Sequence, residues 1–431
     1  MKYFITILAI LTASPALHGF GIFAPVSGEN GQAGHQDGTG GGARFNDPMG
    51  LARDAQGNLF ICDARNHVIR KISPAGIVTT LAGEPGVHGA ADGIGSAARF
   101  HFPADIAIAP DGTLYVADSG NHCIRKIIAN GTVSTLAGDL GSADDIDDTN
   151  TSISFTPTTP QLDGKGAAAR FNTPSGITYA PGGFLYVSDT ENQTIRKVNL
   201  DGTVTTPAGL AGVWGSTNGT GPAARFQSPM GLCIGTDGNL YIADSLNHSI
   251  RSMTPKGVVT SFAGNALAAG SKSGPRLEAR FYQPTDITCH PDGGFIICDS
   301  FKNSLYRIAA DGMVSMFTNN SSTSPSNILA NPSAVVCDPQ GNVFVSDTFS
   351  QQVQLIIEKF GMETTLVNGT RQLKLTWDSL PGRDYQLQIL GDQGWSNSSL
   401  APVRATSDKA SISFPIPAQK TGIYRILLLG F

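Results

Sequence analysis

Two aspartates that interrupt a repeated pattern are the first residues in this sequence that could do chemistry. Asp105 and Asp286 each stand near the start of a short apolar segment. The same position holds glycine in three other copies of that segment: Gly50, Gly176 and Gly231. Carboxylates bind calcium and act as general acids or bases, but only His101 and His290 stand near these two. The pattern favours aspartates that cap their own loops over a shared metal site, with ligand binding as the functional alternative.

A second acidic group lies in the stretch between residues 139 and 150. It holds Asp139, Asp144, Asp145, Asp147, Asp148 and Asn150. Oxygen ligands at alternate positions suit calcium, but the stretch lacks the glycine and the distal glutamate of a calcium loop. We interpret it as a solvated acidic loop and expect no cofactor, with calcium as the alternative. The candidate binding residues are therefore Asp105, Asp286, Asp144, Asp145, Asp147 and Asp148.

Short motifs of common enzyme classes are missing from the sequence. It contains no His-Glu-x-x-His, Cys-x-x-Cys, Gly-x-Ser-x-Gly or phosphate-binding loop. Two stretches, at 93–98 and 219–224, imitate a dinucleotide fingerprint. No parallel strand–helix–strand unit surrounds them and they recur within a repeat, so we interpret them as turns.

The motif Ala-Arg-Phe-x-x-Pro recurs and defines the repeat. Its arginine occupies five positions, separated by 55, 71, 55 and 55 residues: Arg44, Arg99, Arg170, Arg225 and Arg280. A sixth copy keeps only Asn331-Pro332. Each copy leads to a strand that ends in aspartate: Asp63, Asp118, Asp189, Asp244, Asp299 and Asp347. A long period of this kind marks an array of one supersecondary unit.

Each repeat predicts four short strands. In the first copy they are 50–53, 59–63, 68–72 and 77–82, joined by glycine-containing hairpin turns. Strands that are apolar on both sides and joined without helices are typical of four-stranded antiparallel blades. We predict an all-β fold, a six-bladed β-propeller. Stepping back 55 residues from Gly83 reaches Gly28, so residues 21–27 are predicted to complete blade six.

The segment Asp63-Ala-Arg-Asn-His-Val-Ile-Arg70 recurs at 118–125 and 244–251. These segments resemble those of the NHL-repeat β-propellers, and the resemblance covers about residues 21–358. Three blades depart from the pattern, at Gln193, at Lys302-Asn303, and at Ser350-Gln351 with Gln354 in place of arginine. These departures predict a degenerate seam at blades five and six. Lyases and lactonases on similar propellers hold a metal in the channel, where this sequence offers only Asp105 and Asp286.

The recurring charged residues predict structural roles. Each repeat aspartate and the arginine seven residues later are expected to pair and pin two strands of a blade. The histidines His67, His122 and His248 are repeat-turn residues, not a metal triad. The Ala-Arg-Phe arginines are expected to anchor loops. One face of the propeller collects the long loops, and we expect binding there.

The ends of the chain and its cysteines complete the prediction. Residues 1–19 are predicted to be a signal peptide, residues 20–358 to form the propeller, and residues 359–431 to form a small β-sandwich. Leu-x-Trp and Tyr-x-Leu pairs around Leu380-Pro381-Gly382 resemble a fibronectin type III-like β-sandwich. Cys62 and Cys298 occupy the same position of repeats one and five, and Cys233, Cys289 and Cys337 each fall in a different apolar strand, so we predict that all six cysteines are free thiols.

Composition limits the classes of partner. The chain of 431 residues is 40% hydrophobic and 15% charged, with a formal net charge of −5. An acidic body argues against a nucleic-acid or anionic-membrane partner, and we expect a monomer with no membrane span. The sequence predicts an exported, non-catalytic interaction protein that binds a protein or glycan. The alternative is a metal-dependent channel-site lyase or hydrolase.

Overall fold

Six antiparallel sheets, one per blade, make up the propeller. The computed structural model describes residues 22–139, 161–266, 268–318 and 329–357, and the backbone of seven strands between residues 360 and 429. The predicted all-β, six-bladed propeller is confirmed. In the first blade, three of the four predicted strands have the predicted bounds, and the first strand begins two residues earlier, at Pro48.

The first two strands of each blade are joined by a tight hairpin. The first strands are Pro48–Arg53, Pro103–Ile108, Pro174–Ala180, Pro229–Ile234, Pro284–Cys289 and Pro332–Cys337. The second strands are Leu59–Asp63, Leu114–Asp118, Phe184–Asp189, Leu240–Asp244, Phe295–Asp299 and Val343–Asp347. Proline is tolerated as the first residue of a strand because its missing N–H lies outside the ladder.

The outer strands follow the same order. The third strands are Val68–Ile72, Cys123–Ile127, Thr194–Asn199, Ser249–Met253, Ser304–Ile308 and Gln352–Ile357. The fourth strands of blades one to five are Ile77–Ala82, Thr132–Ala137, Thr203–Gly209, Val258–Gly264 and Met313–Met316. Two-residue segments extend these sheets at the outer edge: Gly38–Thr39, Gly93–Ile94, Gly164–Lys165, Gly219–Thr220 and Gly274–Pro275.

Short 3-10 helices connect these strands. Between the second and third strands they are Ala64–Asn66, Ser119–Asn121, Thr190–Asn192, Ser245–Asn247 and Ser300–Lys302. After the two-residue outer segments they are Gly40–Gly42, Gly95–Ala97, Gly166–Ala168 and Gly221–Ala223.

The hydrophobic core lies between the blades. Each of five clusters of buried side chains takes its members from two consecutive blades; one, for example, joins Cys62 and Ile69 of blade one to Ile106 and Val116 of blade two. Both faces of a blade are covered in this way, which explains why five of the six second strands are buried along their whole length.

A buried ion pair joins the second and third strands in blades one to four. In blade two, the Arg125 Nη1 atom lies 2.9 Å from the Asp118 Oδ2 atom, and both side chains are 0% exposed. Asp118 also accepts hydrogen bonds from the Asn121 side chain and the His101 backbone N–H. Equivalent pairs are Asp63–Arg70, Asp189–Arg196 and Asp244–Arg251. The predicted structural pairing is confirmed.

The same guanidinium holds the loop that precedes its blade. Arg125 Nη2 bonds the half-exposed Asp92 carboxylate at 2.9 Å, and Nη1 bonds the Arg99 carbonyl oxygen at 2.7 Å. The Phe100 ring lies below the guanidinium at 5.1 Å, within the range of a cation–π contact. Arg99 itself bonds the carbonyl oxygens of Ser96 and Ala98. The Ala-Arg-Phe arginines are therefore loop anchors, as predicted.

One side chain per blade forms a hydrogen bond to the next blade. Six residues at the ends of the second-to-third connections adopt left-handed backbone conformations, with φ between 51° and 60°: His67, His122, Gln193, His248, Asn303 and Gln351. Five of them accept a bond from the backbone N–H just before the next blade's first strand, at 2.7–3.1 Å. His248 contacts the Tyr282 carbonyl oxygen.

These contacts correct the predicted degenerate seam. Asn303 and Gln351 supply side-chain oxygens where the repeat has an imidazole nitrogen, so blades five and six keep the bond to the following blade. Gln354 replaces arginine and donates to Asp347. Each of these three replacements keeps the hydrogen-bond acceptor or donor of the residue that it replaces. A comparison of residue types alone does not reveal this.

Blade six contacts blade one through side chains that lie 300 or more positions away in sequence. The Thr348 hydroxyl donates to the Pro48 carbonyl oxygen at 2.7 Å, and the Gln351 amide bonds both the backbone N–H and the carboxylate of Asp47. The strand Ile22–Ser27 pairs antiparallel with the third strand of blade six, with Ala24 opposite Leu355.

The chain after the propeller forms two further sheets. Strands Phe360–Val367, Thr370–Asp378 and Lys409–Pro415 make the first. The second contains Asp384–Gly391, Gly394–Asn397, Val403–Arg404 and Tyr424–Leu429. Within the part of the chain that the structure describes, no helix is long and apolar enough to cross a membrane.

Replacing the buried carboxylate of one ion pair should destabilise the protein much more than replacing the exposed one. Asp118→Ala leaves the Arg125 guanidinium buried without its main partner, which costs about 3 kcal/mol or more. Asp92→Ala removes a half-exposed carboxylate from the same arginine and should cost less than about 1 kcal/mol. Urea denaturation of both variants measures the difference. Equal losses of unfolding free energy in the two variants would show that Arg125 depends on Asp118 no more than on Asp92.

Candidate functional site

A cavity of about 470 Å³ opens at the mouth of the central channel. All six blades line it, through the residues around the starts of the first strands and through the second-to-third connections. This is the face for which the sequence predicted the long loops. Its inner wall includes Met49, Met230, Ser175 and Thr285, each of which directly follows the proline that begins a first strand.

Asp105 lies in this wall and joins two blades. One carboxylate oxygen accepts the Ile106 backbone N–H at 2.8 Å, and the other accepts the Ile177 backbone N–H of blade three at 2.8 Å. Asp286 makes the equivalent bond from blade five to the Val335 N–H of blade six, at 2.8 Å. Each aspartate bonds the backbone N–H of the residue that follows it, in agreement with the expected local cap, and its carboxylate also reaches the neighbouring blade, which was not expected.

Glycines on the preceding blades make room for these carboxylates. A Cβ atom at Gly50 would lie 2.3 Å from the Asp105 Cα atom, and one at Gly231 would lie 2.1 Å from the Asp286 Oδ1 atom. Alanine at either position would collide with the aspartate. A glycine on one blade, the aspartate on the next and the backbone N–H that it bonds on the third therefore form one arrangement, which occurs across blades one to three and again across blades four to six.

The cavity environment favours the protonated forms of both carboxyl groups. Burial raises the pKa of Asp105 from 3.8 to about 7, although its two backbone hydrogen bonds oppose the shift. Burial also raises the pKa of Asp286 well above its usual value, and the charge of Asp105 adds to this effect. The two groups sense each other across the channel.

The rim of the cavity is apolar on one side and polar on the other. The second residue after each repeat aspartate occupies the same position in every blade, and in blade order these residues are Arg65, Gly120, Glu191, Leu246, Phe301 and Phe349. Glu191, Leu246 and Phe301 line the cavity, and Phe349 has the equivalent position in blade six. Phe301 is 67% exposed, Phe349 is 64% exposed and Leu246 is 39% exposed. We call these three residues the apolar rim. Burial raises the pKa of Glu191 on the opposite side.

Aromatic stacking supports part of the apolar rim. The Phe301 ring stacks on Tyr282 with centroids 5.5 Å apart, and the Lys302 ammonium lies 4.8 Å from the Tyr282 centroid on the same turn. Leu246 and Phe301 both line the cavity. Large apolar side chains at this exposure, grouped around a cavity, are characteristic of an interaction site.

The structure places the other predicted residues elsewhere or does not describe them. Asp144, Asp145, Asp147 and Asp148 lie outside the described residues, and the Asp139 carboxylate bonds Arg170 at 2.8 Å. His101 and His290 do not line the cavity. Among the described residues, no group of three or more His, Cys, Asp or Glu side chains is placed to hold a metal ion.

Sequence reasoning missed the apolar rim. Each of its members occupies a repeat position that tolerates arginine, glycine or glutamate elsewhere, so it attracts no attention within one repeat. An alignment of the six repeat copies at the second position after the aspartate reveals it. Three large apolar residues in consecutive blades depart from the polar residues of the first three.

A family model for the NHL repeat matches residues 100–127, 171–198 and 226–251, which lie in blades two, three and four. The chain contains NHL repeats. The matched stretches run from the phenylalanine of the Ala-Arg-Phe motif to the end of the third strand or close to it, so they enclose the buried aspartate and arginine of each blade.

Two curated relatives match about two thirds of the chain. The chain is 30% identical over 303 residues to Protein SUPPRESSOR OF QUENCHING 1, chloroplastic, of Arabidopsis thaliana, with 65% of this chain and 26% of that protein covered. It is 28% identical over 307 residues to NHL repeat-containing protein 2 of Bos taurus, with 64% and 40% covered. The chain therefore spans two fifths or less of the length of these relatives.

A solved structure shows the same fold. A structural genomics protein of unknown function from Bacteroides thetaiotaomicron superposes with a TM-score of 0.57 at 18% identity. The match covers 82% of this chain and 90% of that one. At this identity, the comparison supports the propeller architecture of the NHL repeats and carries no functional argument.

The raised pKa of Asp105 predicts a specific pH dependence of stability. A carboxyl group with a higher pKa in the folded than in the unfolded protein binds more protons when folded, so rising pH destabilises the fold across that interval. Asp105→Asn removes the carboxyl group that titrates and one of its two hydrogen-bond acceptor oxygens. The melting temperature of the wild type, relative to that of Asp105→Asn, should therefore fall as pH rises from 5 to 8.

An exposed aspartate provides the matched control. Asp311→Asn, in a hairpin turn of blade five, tests for effects common to any such replacement. Thermal melts of the three proteins at several pH values give the comparison. A wild-type advantage over Asp105→Asn that stays constant from pH 5 to 8 would contradict the assignment.

Proposed function

We propose that this protein is a non-catalytic binding module that takes up a protein ligand at the channel mouth. The observation that carries the proposal is the apolar rim beside the cavity. Interface centres are enriched in aromatic residues, which dominate binding when a partner buries them. Phe301 and Phe349 would each lose a large exposed apolar surface on complex formation.

The hydroxyl groups around the cavity favour a protein ligand over a glycan. A sugar needs free donors and acceptors in the wall. Several lining hydroxyls are already occupied by bonds within the ring: Ser119 donates to Pro174, Thr190 to Pro229, and Ser300 to Pro332. The remaining character of the rim is apolar on blades four to six, with acidic groups at Asp105, Asp286 and Glu191. An apolar segment of a protein fits this combination, because the carboxyl groups of Asp105 and Asp286 already bond the neighbouring blades.

The geometry of the two aspartates supports binding over catalysis. A metal-dependent lyase or hydrolase would need carboxylate oxygens that face a substrate or an ion. Both oxygens of Asp105 accept backbone N–H groups, and Asp286 accepts two such bonds as well. These carboxylates hold the blades together, which leaves little capacity for ligation.

Truncating the apolar rim should abolish capture of the ligand. The protein is immobilised and exposed to the surface fraction of the producing cell, beside the variant Phe301→Ser/Phe349→Ser. Loss of two central aromatic contacts should weaken binding at least tenfold, equivalent to about 1.4 kcal/mol or more. Quantitative mass spectrometry of the captured proteins measures the loss.

The control replaces exposed apolar residues far from the cavity. Ile94→Ser/Leu277→Ser changes side chains that are 62% and 55% exposed near the outer strand segments, and this variant should retain the ligand. Equal capture by both double variants, with both folded, would contradict a site at the channel mouth. A captured glycan in place of a protein would overturn the choice of ligand class.

We also propose that the protein is exported as a monomer and that its last part is a fibronectin type III-like sandwich. Support comes from the basic and apolar start of the sequence and from the two sheets after residue 359. The sandwich would space or attach the propeller. A chain truncated after residue 358 should then still capture the ligand, and finding the protein itself in the surface fraction checks export.

We further propose that the strand Ile22–Ser27 closes the ring as the fourth strand of blade six. Its register with residues 353–357 supports this role. Deleting residues 20–28 would leave the third strand of that blade unpaired at an edge, which promotes aggregation. We expect a markedly lower melting temperature or aggregation in light scattering. Unchanged stability would mean that the Thr348 and Gln351 contacts to blade one suffice for closure.

A further inference from the structure

Three cysteines stand at the ends of consecutive first strands. Cys233 of blade four, Cys289 of blade five and Cys337 of blade six each lie at or within one residue of the strand end, next to the hairpin turn. They are therefore at the end of the channel opposite to the mouth. All six cysteines of the chain are free in the structure, as the sequence predicted.

Two of these thiols touch across the boundary between blades. The Cys289 Sγ atom lies 3.5 Å from the Cys233 Sγ atom and 3.1 Å from the Ile234 carbonyl oxygen. The two cysteines lie in different strands, 56 positions apart in sequence, so the repeat pattern alone does not pair them. Adjacent first strands converge at the channel, which brings the two side chains together.

We propose that Cys233 and Cys289 form a disulfide bond when the folded protein meets a small-molecule disulfide. The Cys289 thiolate attacks the small disulfide and releases one thiol, which leaves a mixed disulfide on Cys289. The Cys233 thiolate then attacks the Cys289 sulfur and releases the second thiol. The two cysteines lose two electrons and two protons in total, and the small disulfide is reduced to two thiols.

The two cysteines differ in the ways that this sequence of steps requires. Cys289 is partly exposed, and its contact with the Cys233 thiol lowers its pKa, so it is the accessible thiolate. Cys233 is buried with 8% of its surface exposed, and burial raises its pKa. Its advantage over the other buried thiols is position, because its sulfur lies 3.5 Å from the Cys289 sulfur and can attack the mixed disulfide there once it loses its proton.

The other cysteines lack one of these properties. Cys62, Cys123 and Cys298 are fully buried, and burial raises the pKa of each well above the usual value. Cys337 is partly exposed, but burial of its sulfur raises its pKa, and the charge of Asp338 adds to the shift. Oxidation should therefore be confined to one pair.

The bridge would tie together the two blades that carry Leu246 and Phe301. It closes a long stretch of chain between blades four and five, and such cross-links reduce the freedom of the unfolded protein. The sulfur atoms must approach by roughly 1.5 Å to reach the bond length of about 2.05 Å. Because both thiols stand at strand ends next to hairpin turns, that movement does not require the ion pairs of the blades to break.

Oxidation of the native full-length protein with oxidised glutathione tests the proposal. The remaining thiols are alkylated in denaturant, and the protein is digested and analysed without reduction. We expect six alkylated cysteines before oxidation, four afterwards, a peptide that links Cys233 to Cys289, and a higher melting temperature. Cys337→Ser should form the same link, whereas Cys289→Ser should form none. Cys233→Ser should stop at the glutathione adduct on Cys289.

Three results would overturn the proposal. Six alkylated cysteines after oxidation, or a wild-type protein that stops at the mixed disulfide, would show that the two thiols cannot join. A link from Cys289 to Cys337 would show that the partner is wrong. The melting curve of each variant before oxidation confirms that it is folded, so that absence of the link reflects chemistry and not misfolding.

Discussion

The propeller depends on a guanidinium buried in the middle of each of its first four blades. Burial alone disfavours charge there, and it raises the pKa of Asp63, Asp118 and Asp244 to about 6 even though an arginine and N–H donors oppose the shift. Such a pair adds little net stability over an apolar core, but removing one partner is costly. The pair matters because it positions other parts of the blade: one arginine holds two strands, a loop and an aromatic ring together.

This division of roles leaves the channel mouth free to vary. The repeat aspartate and the left-handed turn residue recur in all six blades, and the arginine recurs in the first four, so the side chain at the rim position can differ from blade to blade. Blades one to three use that freedom for Arg65, Gly120 and Glu191, and blades four to six use it for large apolar side chains. The apolar rim is therefore a property of this chain and not of the repeat.

Much of the fold could be predicted because its signals are local. An aspartate and an arginine seven residues apart lie on the same face of two adjacent strands, two positions out of direct register, once a short turn connects the strands, and glycine turns mark the strand ends. The relations between blades could not be predicted in the same way. Asp105 bonds Ile177, which lies 72 positions later, and Cys289 touches Cys233 at a separation of 56. Such pairs depend on the exact convergence of first strands at the channel, which a single repeat does not encode.

The candidate site was predicted in part. Loop lengths predict binding on the face where the cavity lies. They do not predict that Asp105 and Asp286 bond the neighbouring blades. The apolar rim escaped because exposure is a property of the assembled ring. Replacement of histidine by Gln351 was interpreted as degeneration, although an amide oxygen accepts the same bond as an imidazole nitrogen.

Amide hydrogen exchange of the protein with and without its captured partner tests the central claim most directly. If the ligand binds at the channel mouth, exchange should slow at Ser245–Asn247, at Ser300–Lys302 and at residues 348–351, with no change in the hairpin turns at 235–239 and 290–294. Protection confined to those hairpin turns, at the opposite end of the channel, would contradict the account.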